Sequence, residues 1–163
     1  MRLKQAFLSL GSNLGDRQKN LEQALAALEQ EQIQIVSQSA IYETEPQDVA
    51  SQPWFLNMVV ECQSRYFPLQ MLTVIERIER DLGRIRTGVA PRGPRVIDID
   101  ILLFGNAVIE GPQLTIPHPR MLQRRFVLEP LLEIAPELRH PQTKEPLSRY
   151  PAAVSRQKVR RLS

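Results

Sequence analysis

A chain of 163 residues, 42% hydrophobic and 24% charged, suits one domain with a core of its own and excludes fibrous, collagen-like and wholly disordered classes. Its net charge of +3 and pI near 9.3 fit an anionic small substrate such as a nucleotide, and equally weak nucleic-acid binding. Cys62 is the only cysteine, which excludes an internal disulfide or a thiolate zinc cluster and favours a reducing, cytoplasmic setting.

The N-terminus lacks the apolar core of a signal peptide, and nowhere does the chain approach the 18 or so apolar residues of a membrane span. Gln5 to Leu10 alternates like a strand and runs into Gly11-Ser12-Asn13-Leu14-Gly15, a turn-rich stretch. That stretch could hold phosphate, but no Gly-Lys-Ser/Thr follows, so a tight strand-to-helix turn is the simpler reading. Asp16 is placed to cap a helix with Leu21, Ala24, Leu25 and Leu28 on one stripe.

Ile35 to Thr44 reads as a second strand, and a polar, proline-bounded loop follows from Glu45 to Pro53. A third strand from about Trp54 to Gln63 carries Phe55 and Asn57 on one face. Such a pair can stack on and hydrogen-bond a flat heterocycle, or be a core aromatic beside an exposed amide. Pro68 opens a helix to about Leu82 that should bury Leu69, Leu72, Ile75, Ile78 and Leu82, with Gly83 as its stop.

Residues 84–95 are rich in arginine, glycine and proline, and read as a basic, mobile loop. They feed into Val96-Ile97-Asp98-Ile99-Asp100-Ile101-Leu102-Leu103-Phe104, the most informative stretch of the chain. A period of two puts Ile97, Ile99, Ile101 and Leu103 on one face and Asp98 with Asp100 on the other. Carboxylates roughly 6 to 7 Å apart at their bases can converge on a hard cation, and oxygen-only ligands favour magnesium. The bland alternative is a solvated strand face, although such faces seldom carry paired Asp.

Gly105-Asn106 signals a hairpin, with Ala107 to Ile109 returning. Leu114 to Arg120 should be extended, and holds His118. Arg124, Arg125 and Phe126 open a helix that Pro130 and Pro136 keep short or kinked, and the basic tail, about 142–163, reads as loosely ordered at its end. Strand, helix, strand, strand, helix, strand is the order of a ferredoxin-like α+β domain, a split βαβ core with an antiparallel sheet. The hairpin and the C-terminal helical region are additions to it.

Six blocks together resemble the 6-hydroxymethyl-7,8-dihydropterin pyrophosphokinase family. They are Leu10 to Asp16, Tyr42-Glu43-Thr44, Gln52 to Asn57, Gly83 to Arg86, Gly93-Pro94-Arg95-Val96-Ile97-Asp98-Ile99-Asp100-Ile101-Leu102, and Ile116 to Met121. The resemblance covers about residues 5–141. It implies transfer of pyrophosphate from ATP to a pterin hydroxymethyl group, releasing AMP, in folate biosynthesis. It also implies that Asp98 and Asp100 bind two magnesium ions among the ATP phosphates.

By the same resemblance, Glu79, Arg84, Arg86, Arg95, Ile101, Thr115, His118 and Arg124 match ATP-side positions, with Arg84 and Arg95 catalytic alongside the aspartates. Thr44, Pro46, Phe55, Asn57 and Phe126 match the pterin pocket. The family usually has an arginine and an aromatic before Gly-Pro-Arg, where this chain has Pro91-Arg92, and Asp48 stands where glycine is common. The expected protein is a monomer that binds ATP and the pterin, without nucleic acid or membrane. Rival readings are a non-catalytic nucleotide-binding domain and an RRM-like RNA-binding module, but the aromatic-rich motif of an RRM strand is missing.

Overall fold

The computed structural model describes residues 2–45, 53–83 and 95–162. Its elements are β1 (Lys4–Ser12), α1 (Arg17–Gln30), β2 (Gln34–Gln38), β3 (Ile41–Thr44), β4 (Phe55–Ser64), α2 (Pro68–Asp81), β5 (Asp98–Phe104), β6 (Ile109–Glu110), β7 (Thr115–Ile116), α3 (Arg125–Ile134) and β8 (Val159–Leu162). All pairings are antiparallel, and the main sheet runs β5-β1-β4-β3-β8 with β2 also on β4.

Local chemistry explains the two helices that cover one face. The Asp16 carboxylate accepts from Lys19 N at 3.1 Å and starts α1. Pro68 supplies the first turn of α2, and Gly83, at φ +107°, ends it in a backbone conformation that a Cβ would oppose. Leu21, Ala24 and Leu28 of α1 pack with Met71, Val74, Ile75 and Ile78 of α2 on Leu8, Leu10, Met58, Val60, Ile99 and Ile101. On the other face α3 sets Val127 and Leu131 against Phe7, Val59, Leu102 and Leu103.

Five expectations need correction. Ile35 to Thr44 is two strands, because Ser39 interrupts the ladder: its N–H donates to Val59 O, while its Oγ accepts from Val59 N. The Ala40 N–H is then met by Glu133 of α3. Leu69 is 53% exposed, since α2 buries the stripe led by Met71 and Val74 instead. Leu103 lies on the α3 face because the β1–β5 register slips between Phe7 and Leu8, making Leu102 the extra residue of a bulge.

Further on, the Gly105-Asn106 turn forms, yet Ile109–Glu110 pairs with Thr115–Ile116 rather than with β5. Side chain and loop already meet β5 there: Glu79 accepts from Ile99 N, and His118 N donates to Leu102 O. Finally, the chain end is ordered. Val159–Leu162 pairs with Ile41–Thr44 as the outer strand of the sheet, since β3 would otherwise leave a ladder of unpaired backbone groups.

Candidate active site

Directly opposed residues of antiparallel strands project from the same face. Tyr42 lies opposite Asn57, Asn57 opposite Gly11, and Gly11 opposite Asp98, so one row crosses four strands. A neighbouring row runs Val59, Ser9, Asp100, and Thr44 faces Phe55. With strands about 4.8 Å apart, Asn57 and Asp98 rise roughly 10 Å from one another across Gly11. The register therefore brings the amide–aromatic pair and the carboxylate pair onto one surface.

Gly11 is the bare floor between them. A Cβ there would sit 2.7 Å from Asn57 Oδ1 and 3.4 Å from Phe55 Cδ1. Asn57 is itself 3% exposed and donates from Nδ2 to Thr44 Oγ1 at 2.6 Å, which fixes its carboxamide plane. Thr44 is buried to the same degree, at 2%, and Phe55 is half-buried.

At the other end of the row, Arg95 Nη1 lies 3.3 Å from Asp98 Oδ1, and both aspartates are half-exposed. Glu79 reaches in from α2, 3% exposed, and accepts from the N–H of Ile99, the residue between the two aspartates. Among the described residues no group of three His, Cys, Asp or Glu side chains forms a ready metal cluster. A hard cation at Asp98 and Asp100 would complete its shell with water or ligand oxygens, as magnesium commonly does, and the half-exposed all-oxygen pair fits that.

His118 stands beside this pair because its N–H donates to the carbonyl of the bulged Leu102, at 3.0 Å. Its Nδ1 accepts from Arg120 N at 3.1 Å, leaving Nε2 as the protonated nitrogen of a neutral ring. Burial first, and then the charges of Arg124 and Arg120, lower its pKa to about 4, with Asp98 opposing. Arg124 holds its guanidinium 5.3 Å above the Phe126 ring. Thr115 is half-buried on β7, while Ile101 is 4% exposed and belongs to the core beneath the site.

The structure thus places Glu79, Arg95, Asp98, Asp100 and His118 together on and around β5, and Thr44, Phe55 and Asn57 together on β3 and β4. Pro46, Arg84 and Arg86 lie outside the described residues, as do Asp48 and Pro91-Arg92. Two residues were not singled out from the sequence: Gly11, which lies between the groups, and Asn13, which ties their strands together. A turn-rich Gly-Ser-Asn after a strand was the available signal, and it was read as a tight strand-to-helix turn, with no role for either side chain between the two groups. A cavity of about 530 Å³ lined by Glu43, Trp54, Arg125 and residues 155–160 contains none of the site residues named above.

The fold is an antiparallel α+β domain that presents a carboxylate-bearing sheet face. The chain belongs to the 7,8-dihydro-6-hydroxymethylpterin-pyrophosphokinase (HPPK) family, which it matches over residues 7–136. It is 46% identical over 134 residues to the 2-amino-4-hydroxy-6-hydroxymethyldihydropteridine pyrophosphokinase of Bacillus subtilis, covering 82% of this chain and 79% of that one. It is 44% identical over 145 residues to the folic acid synthesis protein fol1 of Schizosaccharomyces pombe, covering 88% of this chain and 20% of the relative. The chain therefore spans about a fifth of that fungal protein. The solved structure of wild-type Plasmodium falciparum HPPK-DHPS with pteroate shares the fold, with TM-score 0.76 at 18% identity over 93% of this chain and 44% of that one.

Proposed function

We propose that this chain transfers the pyrophosphoryl group of ATP to the hydroxymethyl oxygen of 6-hydroxymethyl-7,8-dihydropterin, releasing AMP, as a step of folate biosynthesis. The observation that carries this reading is the row Asn57, Gly11, Asp98: one register sets a heterocycle-reading amide and a phosphate-side carboxylate on the same face, about two strands apart.

In this reading Phe55 and Phe126 stack on the pterin, while Asn57, held by Thr44, reads its edge; Pro46 is assigned to the same pocket by the resemblance. Asp98 and Asp100 would hold two magnesium ions with the ATP phosphates. Bound there, magnesium would neutralise phosphate charge and acidify the acceptor hydroxyl. Arg84, Arg86, Arg95 and Arg124 take the phosphate oxygens, and Glu79, Ile101, Thr115 and His118 shape the nucleotide side. The acceptor oxygen forms a bond to the β-phosphorus as the bond from that phosphorus to the oxygen bridging the α-phosphate breaks. AMP takes that bridging oxygen, and the hydroxyl proton leaves to solvent. Arg84, Arg95 and the carboxylates act by position and charge, which is what such a transfer needs. A neutral His118 adds a hydrogen-bond donor to the nucleotide side without adding charge.

We read residues 1–163 as one ferredoxin-like domain, monomeric and cytoplasmic. No helix among the described residues is long and apolar enough to cross a membrane. The test is an assay with ATP, magnesium and 6-hydroxymethyl-7,8-dihydropterin that resolves AMP from ADP. Pterin-dependent AMP is expected. ADP instead would mean transfer of the γ-phosphoryl group, and binding without turnover would mean a nucleotide-binding domain; either result would sink the proposal.

A further inference from the structure

Taking the pyrophosphoryl transfer proposed above as given, we propose that Asn13 is the positioning residue that couples the two halves of the site. It would do so by holding the pterin wall and the Asp98 carboxylate at one fixed separation. Asn13 follows β1 and is 1% exposed. Its backbone N–H donates to Arg95 O at 3.0 Å, and its Oδ1 accepts from Arg95 N at 2.7 Å, so the two residues close a ring of two bonds. On its other side Nδ2 donates to Pro53 O at 3.2 Å.

These partners are the entrances to the two halves. Arg95 pairs with Asp98 just before β5 begins, and Pro53 stands two positions ahead of Phe55 at the start of β4. One planar carboxamide therefore bridges the strand that carries the carboxylates and the strand that carries the aromatic and the amide. It does so beside the end of β1 that carries Gly11. The orientation of the amide is not arbitrary: only an oxygen can accept from Arg95 N–H, and only an NH₂ can donate to the Pro53 carbonyl. Aspartate would keep the first bond and lose the second. Alanine would lose these side-chain bonds and leave the Arg95 N–H and the Pro53 carbonyl without them.

A planar group bonded to both entrances transmits a displacement of one to the other, so binding on the Asp98 side must bias binding on the Asn57 side, and the reverse by the same factor. It also keeps the acceptor oxygen in line with the β-phosphorus, where an error of about 1 Å costs on the order of a hundredfold in rate.

The experiment compares wild type, Asn13→Ala and Asn13→Asp. Calorimetry measures the affinity for 6-hydroxymethylpterin with and without magnesium α,β-methylene-ATP, and steady-state kinetics gives kcat and KM for both substrates. For wild type the nucleotide analogue should tighten pterin binding about fivefold or more. In Asn13→Ala that factor should fall close to one and kcat about tenfold or more, with each KM rising by no more than the coupling factor that is lost. Asn13→Asp, which preserves volume, should lose the coupling too and serves if the alanine variant does not fold. An unchanged coupling factor and kcat in a folded variant would overturn the proposal, as would a wild type without coupling. Should wild type make no pterin-dependent AMP, the functional reading fails separately. The tie is then judged by amide exchange at Arg95, where acceleration in Asn13→Ala supports it and an unchanged rate overturns it.

Discussion

The two faces of the main sheet are made from the same strands and end differently. Under α1 and α2 the central inward positions of β1, β4 and β5 are apolar and buried, from Leu8 and Leu10 through Met58 and Val60 to Ile99 and Ile101. On the opposite face Phe7, Val59, Leu102 and Leu103 meet α3, and further along the same strands the positions are Ser9, Gly11, Asn57, Asp98 and Asp100. Covering a face produces a core, and covering half of one leaves a shelf on which polar groups can be arranged without being sealed off from water.

That contrast can be broken at either face. The largest effect should come from the shelf: Asp98→Ala is expected to lower pterin-dependent AMP formation by about 10³-fold, while its thermal unfolding stays close to wild type, since a half-exposed ion pair contributes little to stability. Full activity in that variant would remove Asp98 from the metal-binding role. On the covered face, Ile75→Ala should cost about 2–5 kcal/mol in a urea titration by opening a cavity. Activity per folded molecule should be retained, and a selective loss of turnover would show that the faces are not separable.

Gly11→Ala lies on the border between the two outcomes. Its Cβ would meet Asn57 Oδ1 at 2.7 Å, so the carboxamide must move. Pterin affinity should weaken about tenfold with little change in nucleotide affinity; equal loss of both would mean that the strand, rather than the amide, had shifted.

A smaller effect concerns pH. His118 has a folded pKa near 4, below an unfolded value of about 6.5. As pH falls the unfolded chain takes the proton first, so the stability this histidine preserves is complete above pH 6.5 or so and is lost as pH drops toward 4. His118→Gln should flatten that part of the stability profile, and identical profiles would contradict the burial of the ring. Smallest of all, burial pushes the Cys62 thiol up to about 12, so it should resist alkylation at pH 8 in the native state and react once unfolded.

Much of this was legible in the sequence. Period-two alternation placed Asp98 and Asp100 on one face and Phe55 with Asn57 on another; caps and a proline located α1 and α2 to within a residue or two, and the blocks of residues pointed to the family. What went astray depended on neighbours distant in the chain. Leu69 has the spacing of a buried residue and is exposed because the sheet lies under a different stripe. Leu103 changes faces because of a bulge that only pairing with β1 creates. The basic tail carries no strand pattern strong enough to announce itself, and it becomes β8 because β3 offers it an unpaired edge.

By itself, then, the sequence determined the residue types and their local period: which side chains alternate, where helices start, and that two carboxylates share a strand face. Only the tertiary structure decided that this face is the one carrying Phe55 and Asn57, that Gly11 is the bare step between them, and that Asn13 ties their strands together. The reason is physical. Alternation is a property of one strand, whereas register is a property of two, and a site assembled across β3, β4, β1 and β5 exists only once the long-range hydrogen bonds have fixed which residue stands opposite which.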